Sequence, residues 1–364
     1  MKITRSGRLA AIAAVTAATA LVLTGCAANE SGSSTEDLNL SGLLTGAGAS
    51  SQASAQEAWI ASFQSANPKL EITYDPTGSG AGRESFIAGA VNFAGTDSYL
   101  KDEELAGTFA ACAPDTLPFE VPAYISPIAI AYNVEGVDSL NLDASTIAKI
   151  FSGAITSWDD PAIVALNPKA TLPALAITAV HRSDDSGTTK NFSDYLFQNA
   201  KTDWAIEKPG DTFPFESGEG AQGTSGVVAA IENGTGTIGY ADASKVSKLT
   251  TAKIKVGSDF IAYSPEAAAA VVDGSPAVKG RDAADMAIDI NRTTTNPDEY
   301  PLVLVSYLIG CQEYADAKVA PLVKNYIKFI LSAEGQQVAV TSAGAAPLSA
   351  AQSEAAIKIV DAIK

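Results

Sequence analysis

An α/β fold in which helices cover the strands is what this sequence predicts, and three observations carry the prediction. Runs rich in β-formers at 70–74 (LEITY), 124–132 (YISPIAIAY) and 176–180 (AITAV) alternate with stretches of helical period at 52–66, 84–91, 188–198 and 319–331, the alternation expected of strands packed under helices. At 46% hydrophobic and 18% charged residues the chain can bury a large core. No long low-complexity linker and no tandem repeat interrupts 40–364. The two domains suggested by 364 residues must therefore pack closely, with the chain crossing between them more than once.

The chain opens on Lys2, Arg5 and Arg8, followed by an apolar run of 15 residues at 9–23 and then Leu23-Thr24-Gly25-Cys26. That run is too short for a membrane span, which takes roughly 20 apolar residues. It reads as an export signal over 1–25. Small residues ending in a cysteine resemble the lipobox of bacterial lipoproteins, in which the cysteine is lipidated and becomes the first residue. This places Cys26 as a lipidation site, durable on a membrane once two or more acyl chains are attached. Residues 26–37 are polar and small, a flexible tether.

With 24 Lys plus Arg against 41 Asp plus Glu, the formal net charge is −17. Removing 1–25, which carries three basic and no acidic side chains, deepens it to −20. Sequence-independent binding of nucleic acid needs the opposite sign. A single histidine, His181, excludes multi-His metal centres, and three cysteines fall short of an all-thiolate zinc site. No metal or cofactor is expected. Export favours oxidation, so Cys112 and Cys311 are a candidate disulfide, although two buried thiols would fit as well.

Three Gly/Ser-rich loops each precede a helix: Gly46-Ala47-Gly48-Ala49-Ser50-Ser51, Thr77-Gly78-Ser79-Gly80-Ala81-Gly82, and Arg182-Ser183-Asp184-Asp185-Ser186-Gly187-Thr188-Thr189. Taken singly they are N-caps and turns. Together they offer free helix N–H groups, hydroxyl donors and one guanidinium, the components of an oxyanion cradle. A fourth segment, Val91 to Asp97, ends a predicted strand on a carboxylate. Asp97 either caps a turn or faces the anion, and facing an anion is repulsive unless the anion carries a proton to donate. Monohydrogen and dihydrogen phosphate carry one; sulfate does not.

These four segments, G-A-G-A-S at 46–50, G-S-G-A-G at 78–82, F-A-G-T-D at 93–97 and R-S-D-D-S-G-T-T at 182–189, resemble the ligand segments of the phosphate-binding proteins of phosphate-specific ABC transporters. So does the stretch 150–168, which has its own structural reading, with Asp159 or Asp160 capping a short helix and Trp158 in the core. The resemblance runs from about residue 40 to the C-terminus. It implies a two-lobed periplasmic-binding-protein (Venus-flytrap) fold with two chain crossings, 38–123 plus 289–364 forming one lobe and 124–288 the other. It implies phosphate contacts from Ser50, Ser51 (backbone), Ser79, Asp97, Arg182, Ser186, Gly187 and Thr188, with Asp184 bracing Arg182. Many members have Phe where Ser51 stands. The implied role is capture of inorganic phosphate outside the cytoplasm by a lipid-anchored monomer that delivers it unchanged to membrane permease subunits.

Alternatives attach to particular residues. An exported enzyme acting on phosphate esters would use the same cradle, and another oxyanion such as sulfate or molybdate could occupy it. His181 invites a Ser-His-Asp reading with Ser186, but no G-x-S-x-G elbow is present and a surface or supporting role is expected. Arg83 is expected at the cleft rim or on a solvated helix start. Asp102-Glu103-Glu104 and Asp282, Asp285 and Asp289 fit solvated helix faces, and 218–226 (GEGAQGTSG) a turn at the cleft edge.

Overall fold

The computed structural model describes residues 40–364. The export signal, the tether and Cys26 lie outside the described residues. In chain order the elements are β1 (Ser41–Gly48), α1 (Ala53–Ala66), β2 (Lys69–Asp75), α2 (Ser79–Ile87), β3 (Phe93–Thr96), α3 (Asp102–Leu105), β4 (Pro118–Asn133), β5 (Asn141–Leu142), α4 (Ala144–Phe151), α5 (Pro161–Leu166) and β6 (Thr178–Arg182). They continue as α6 (Gly187–Asn199), β7 (Glu219–Ala221), α7 (Gly223–Asn233), β8 (Thr237–Asp242), β9 (Thr250–Thr251), β10 (Lys253–Val256), β11 (Asp259–Ile261), α8 (Pro265–Asp273), β12 (Val303–Cys311), α9 (Ala320–Leu331), α10 (Ala333–Ala343) and α11 (Ala350–Asp361).

Local chemistry accounts for the elements around the site. In α1 the buried residues Ala55, Trp59 and Phe63 recur every fourth position and form one apolar stripe. The stripe packs on α10, where the Trp59 indole N–H donates to the Gly335 carbonyl at 2.6 Å. Helix α2 starts earlier than its apolar period suggests, at Ser79, and ends at Ile87, with Gly89 at φ +73° just beyond it. On α6, Phe192, Tyr195 and Leu196 are buried, and the Phe192 ring stacks on Tyr240 of β8 at 4.1 Å. Asp160 caps α5, and Trp158 is fully buried, its indole N–H donating to the Gly236 carbonyl at 3.1 Å.

A large sheet runs in the order β2-β1-β3-β12-β4-β8-β6-β7, with β9 also on β4; β11-β10-β5 form a smaller one. Strands β1, β2 and β3 pair in parallel, as do β6, β7 and β8. What joins the two parallel sets is β4. Its residues 118–127 pair antiparallel with β12, and its residues 128–133 pair with β8. At the change of partner the Ile128 N–H donates to the Leu302 carbonyl at 2.8 Å, so the outgoing and returning chains cross side by side. The register of β4 against β12 slips by one residue beside Tyr307, and the Ala123 carbonyl there accepts from the Gln336 amide at 3.2 Å. A disulfide joins Cys112, ahead of β4, to Cys311 at the end of β12.

One buried acid stands apart from the site. Glu120 of β4 is fully buried, and the Leu100 N–H lies 3.2 Å from each of its carboxylate oxygens. Burial first, and Asp285 second, push its carboxyl up to about 8, against the pull of that N–H, Arg281 and Arg83. A group whose folded pKa lies above its unfolded value contributes stability that is intact below the unfolded pKa and lost as pH rises through the folded one. Stability is therefore expected to fall between about pH 5 and pH 8.5, and Glu120→Gln to flatten that decline and recover on the order of 1–3 kcal/mol at the alkaline end. Urea unfolding midpoints of both proteins at the two pH values check this; parallel slopes would contradict it.

Candidate functional site

The loops singled out in the sequence meet at the ends of parallel strands. Strand β1 ends at Gly48 and turns through Ser50–Gln52 into α1; β3 ends at Thr96, one residue before Asp97; β6 ends on Arg182. The C-terminal ends of strands, where helix N-termini with free N–H groups follow, are where open α/β sheets bind ligands. Ser186 is the N-cap of α6, its hydroxyl accepting from the Thr189 N–H at 3.2 Å. Ser50, Ser51, Ser79, Asp97, Arg182, Ser186 and Thr188 are all buried.

Asp97 is the meeting point. Its Oδ1 accepts from the Ser51 hydroxyl at 2.6 Å and its Oδ2 from the Thr188 hydroxyl at 3.0 Å. Its N–H donates to Ser79 Oγ at 3.1 Å, and its carbonyl accepts from Asn191 Nδ2 at 2.7 Å. One residue thus ties together the turn after β1 and α6 through its carboxylate, and the start of α2 through its N–H. Burial pushes its carboxyl above the usual range, and hydroxyls of Ser306, Ser51 and Thr188 and the Arg182 charge only partly offset that. Gly187 packs against it so closely that a Cβ would lie 2.6 Å from Asp97 Cβ and 2.7 Å from Ser79 Oγ. Only glycine fits there.

Arg182 is held as a fork. Its Nε donates to Asp184 Oδ1 at 2.7 Å and its Nη2 to Asp184 Oδ2. Burial works against the Asp184 charge, yet Arg182 and the Gly223 N–H, 3.0 Å from Oδ1, hold its carboxyl below the usual range. The Arg182 N–H donates to the Tyr240 hydroxyl at 3.3 Å, and that hydroxyl pairs with Thr189 at 2.7 Å. Across the site, Ser50 Oγ accepts from the Thr224 N–H at 3.1 Å and lies 3.0 Å from Thr224 Oγ1. The arrangement collects N–H groups, hydroxyls and a guanidinium around one carboxylate, a donor-rich site for a small oxyanion that keeps a proton.

Comparison with known proteins places this geometry. Residues 24–334 match a family model described as a PBP superfamily domain. Phosphate-binding protein PstS 3 of Mycobacterium leprae (strain TN) is 36% identical over 326 residues, covering 85% of this chain and 87% of that protein. PstS 3 of Mycobacterium tuberculosis (strain CDC 1551 / Oshkosh) is 35% identical over 349 residues, covering 92% of each. The chain belongs to the PstS family of phosphate-binding proteins. Among solved structures, the periplasmic phosphate-binding protein PfluDING with phosphate bound superposes with a TM-score of 0.68 at 22% identity, covering 85% of this chain and 92% of that one. A phosphate-binding protein from Stenotrophomonas maltophilia gives 0.64 at 20%, covering 87% and 94%. At those identities the likeness is one of fold, the two-lobed periplasmic-binding-protein fold.

Several expectations for this PstS-family chain need correcting. Arg83 is neither at the rim nor solvated: its side chain is 1% exposed, and it bonds Glu104 at 3.0 Å, Ser98 Oγ at 2.7 Å and Asp211 at 2.7 Å. The 218–226 segment is more than an edge turn, because it places Thr224 on Ser50 and the Gly223 N–H on Asp184. The stretch 281–292 is irregular rather than helical, and the Asp285 side chain is buried against Arg281 at 3.3 Å. His181, expected in a surface or supporting role, needs no such correction: it stacks on Phe213 at 3.9 Å with its Nδ1 3.0 Å from the Arg182 carbonyl, while the Ser186 hydroxyl caps α6, so the two are not set as base and nucleophile. Thr224, Asn191 and Ser306 went unnoticed in the sequence. Of these only Thr224 carried a signal, a Gly-Thr-Ser helix start like the Gly-Thr-Thr at 187–189.

Proposed function

We propose that this chain is the extracytoplasmic solute-binding component of a phosphate ABC transporter. It captures inorganic phosphate between two lobes and passes it, chemically unchanged, to permease subunits in the membrane. The observation that carries the reading is the buried Asp97 carboxylate, bracketed by hydroxyls from the turn after β1 and from α6 and backed by the Arg182 loop. In this reading Asp97 accepts the phosphate proton. Ser50, Ser79, Ser186 and Thr188 supply hydroxyls, Ser51 and Gly187 backbone N–H groups, and Arg182, braced by Asp184, its fork. Hydrogen bonds to a charged group contribute about 1.5–3 kcal/mol each, enough in combination for tight binding after the costs of closure and desolvation.

The lobes are assigned as 38–123 with 289–364 and as 124–288, and they hinge where β4 changes partner, beside the Ile128–Leu302 contact. Export as a lipoprotein monomer anchored through Cys26 accounts for the N-terminal sequence. Its readout is the mass of the N-terminal peptide of membrane-extracted protein, which carries acyl chains on Cys26 if the reading holds and starts at another residue if it does not.

Equilibrium binding of labelled phosphate against excess sulfate tests the function. Sulfate brings no proton, so it leaves Asp97 unpaired against a dianion, and discrimination of about 10^4 is expected for such a loss in a buried polar site. Competition by sulfate at near-equal concentration, or no phosphate binding, would sink the proposal. Asp97→Asn should loosen rejection of sulfate by at least tenfold; unchanged selectivity removes Asp97 from the mechanism.

A further inference from the structure

Away from the four ligand segments, the loop between α6 and β7 carries another buried carboxylate, Asp211, with an unusual set of partners. Asp211 Oδ2 accepts from Arg83 Nη2 at 2.7 Å and lies 3.0 Å from Lys101 Nζ, and Oδ1 accepts from the Ser98 hydroxyl at 2.7 Å. The Asp211 side chain is 3% exposed. Arg83 is on α2, while Ser98 and Lys101 follow β3, so all three partners of the carboxylate belong to the lobe that Asp211 is not part of. The backbone of Asp211 faces the other way: its carbonyl accepts from the Ser186 N–H at 2.9 Å, at the N-cap of α6. The same seam is closed by the Gly80 N–H on the Asp185 carbonyl at 3.1 Å, and within the lobe of Asp211 the Thr212 hydroxyl donates to Asp185 Oδ1 at 2.8 Å.

We infer that Asp211 is an interlobe latch: its ion pair with Arg83 and Lys101 and its bond to Ser98 form only when the lobes close, and through Ser186 they hold the Arg182–Thr188 loop over the bound anion. Asp211 is a positioning residue and touches no ligand. The inference rests on the two-lobed phosphate-binding reading above. Separation of the lobes would leave Asp211 with none of its three side-chain partners, while Arg83 keeps Glu104 and Thr96, bonded at 3.0 and 3.1 Å within its own lobe. The latch is therefore a property of the closed state. Breaking one side of a buried pair costs more than making the pair gains, because the remaining charge stays desolvated. Burial opposes the Asp211 charge, yet Arg83, Ser98 and Lys101 hold its carboxyl at about 2, so the latch remains charged throughout the neutral range.

Asp211→Asn keeps the shape and removes the charge. Stopped-flow binding of phosphate, with the thermal midpoint of ligand-free protein measured in parallel, tests the inference. The expected result is phosphate dissociation faster by about 10- to 100-fold, an association rate within about threefold of wild type, and an unchanged ligand-free midpoint, because the open protein does not make these contacts. The double variant Arg83→Met/Asp211→Asn should release phosphate no faster than the more affected single variant. Dissociation at the wild-type rate overturns the latch, as does a ligand-free midpoint that falls in step with affinity, which marks a purely structural role. Absence of phosphate binding in the wild type is a separate outcome: it overturns the functional reading itself.

Discussion

A single buried carboxylate organises this protein. Asp97 sits at the end of a central strand, away from water, and is satisfied by hydroxyls that come from the turn after β1 on one side and α6 on the other. An ionised group in that position is tolerable only while donors surround it, so the segments that supply them must arrive together. The close approach of α6 is what forbids a side chain at Gly187. The bracing of Arg182 by Asp184, and of Asp184 by the Gly223 N–H, fixes the direction of the Arg182 guanidinium.

Strand topology links the segments that converge there. Because β4 pairs with β12 along its first part and with β8 along its last, the two sets of parallel strands share one backbone, the place where the proposed lobes would hinge. The disulfide between Cys112 and Cys311 ties the start of β4 to the end of β12, on the side away from the change of partner. The protein's negative charge is not at odds with an anionic ligand, since in the proposed site recognition at short range rests on helix N-termini, hydroxyls and Arg182, and salt screens the long-range field.

How much of this was legible in the sequence depended on how local the cause was. Gly and Ser before a helix are a short-range signature, and the loops at 46–51, 77–82 and 182–189 were visible for that reason. Strand β4 runs from Pro118 rather than over 124–132 alone, because Pro118 and Pro122 argue against a strand in the sequence; in the fold Pro118 is its first residue and Pro122 sits beside the register shift with β12. Arg83 looked like a solvated helix start. Its burial is decided by Asp211, 128 positions away, and no pattern in either segment announces that pairing. Asn191 and Ser306 likewise act through contacts that exist only after folding. Thr224 was the recoverable omission, since its loop repeats the chemistry of the one at 187.

The central claim is that the site selects an oxyanion by the proton it carries. Monofluorophosphate tests this most directly, as a near-isosteric dianion in which fluorine replaces the hydroxyl, so that it offers Asp97 no proton at neutral pH. Calorimetric titration of the same preparation with phosphate and with monofluorophosphate should show affinity lower by about 10^3-fold or more for the fluorinated anion, the penalty of leaving a buried acceptor unpaired against negative charge. Equal affinities would contradict the account.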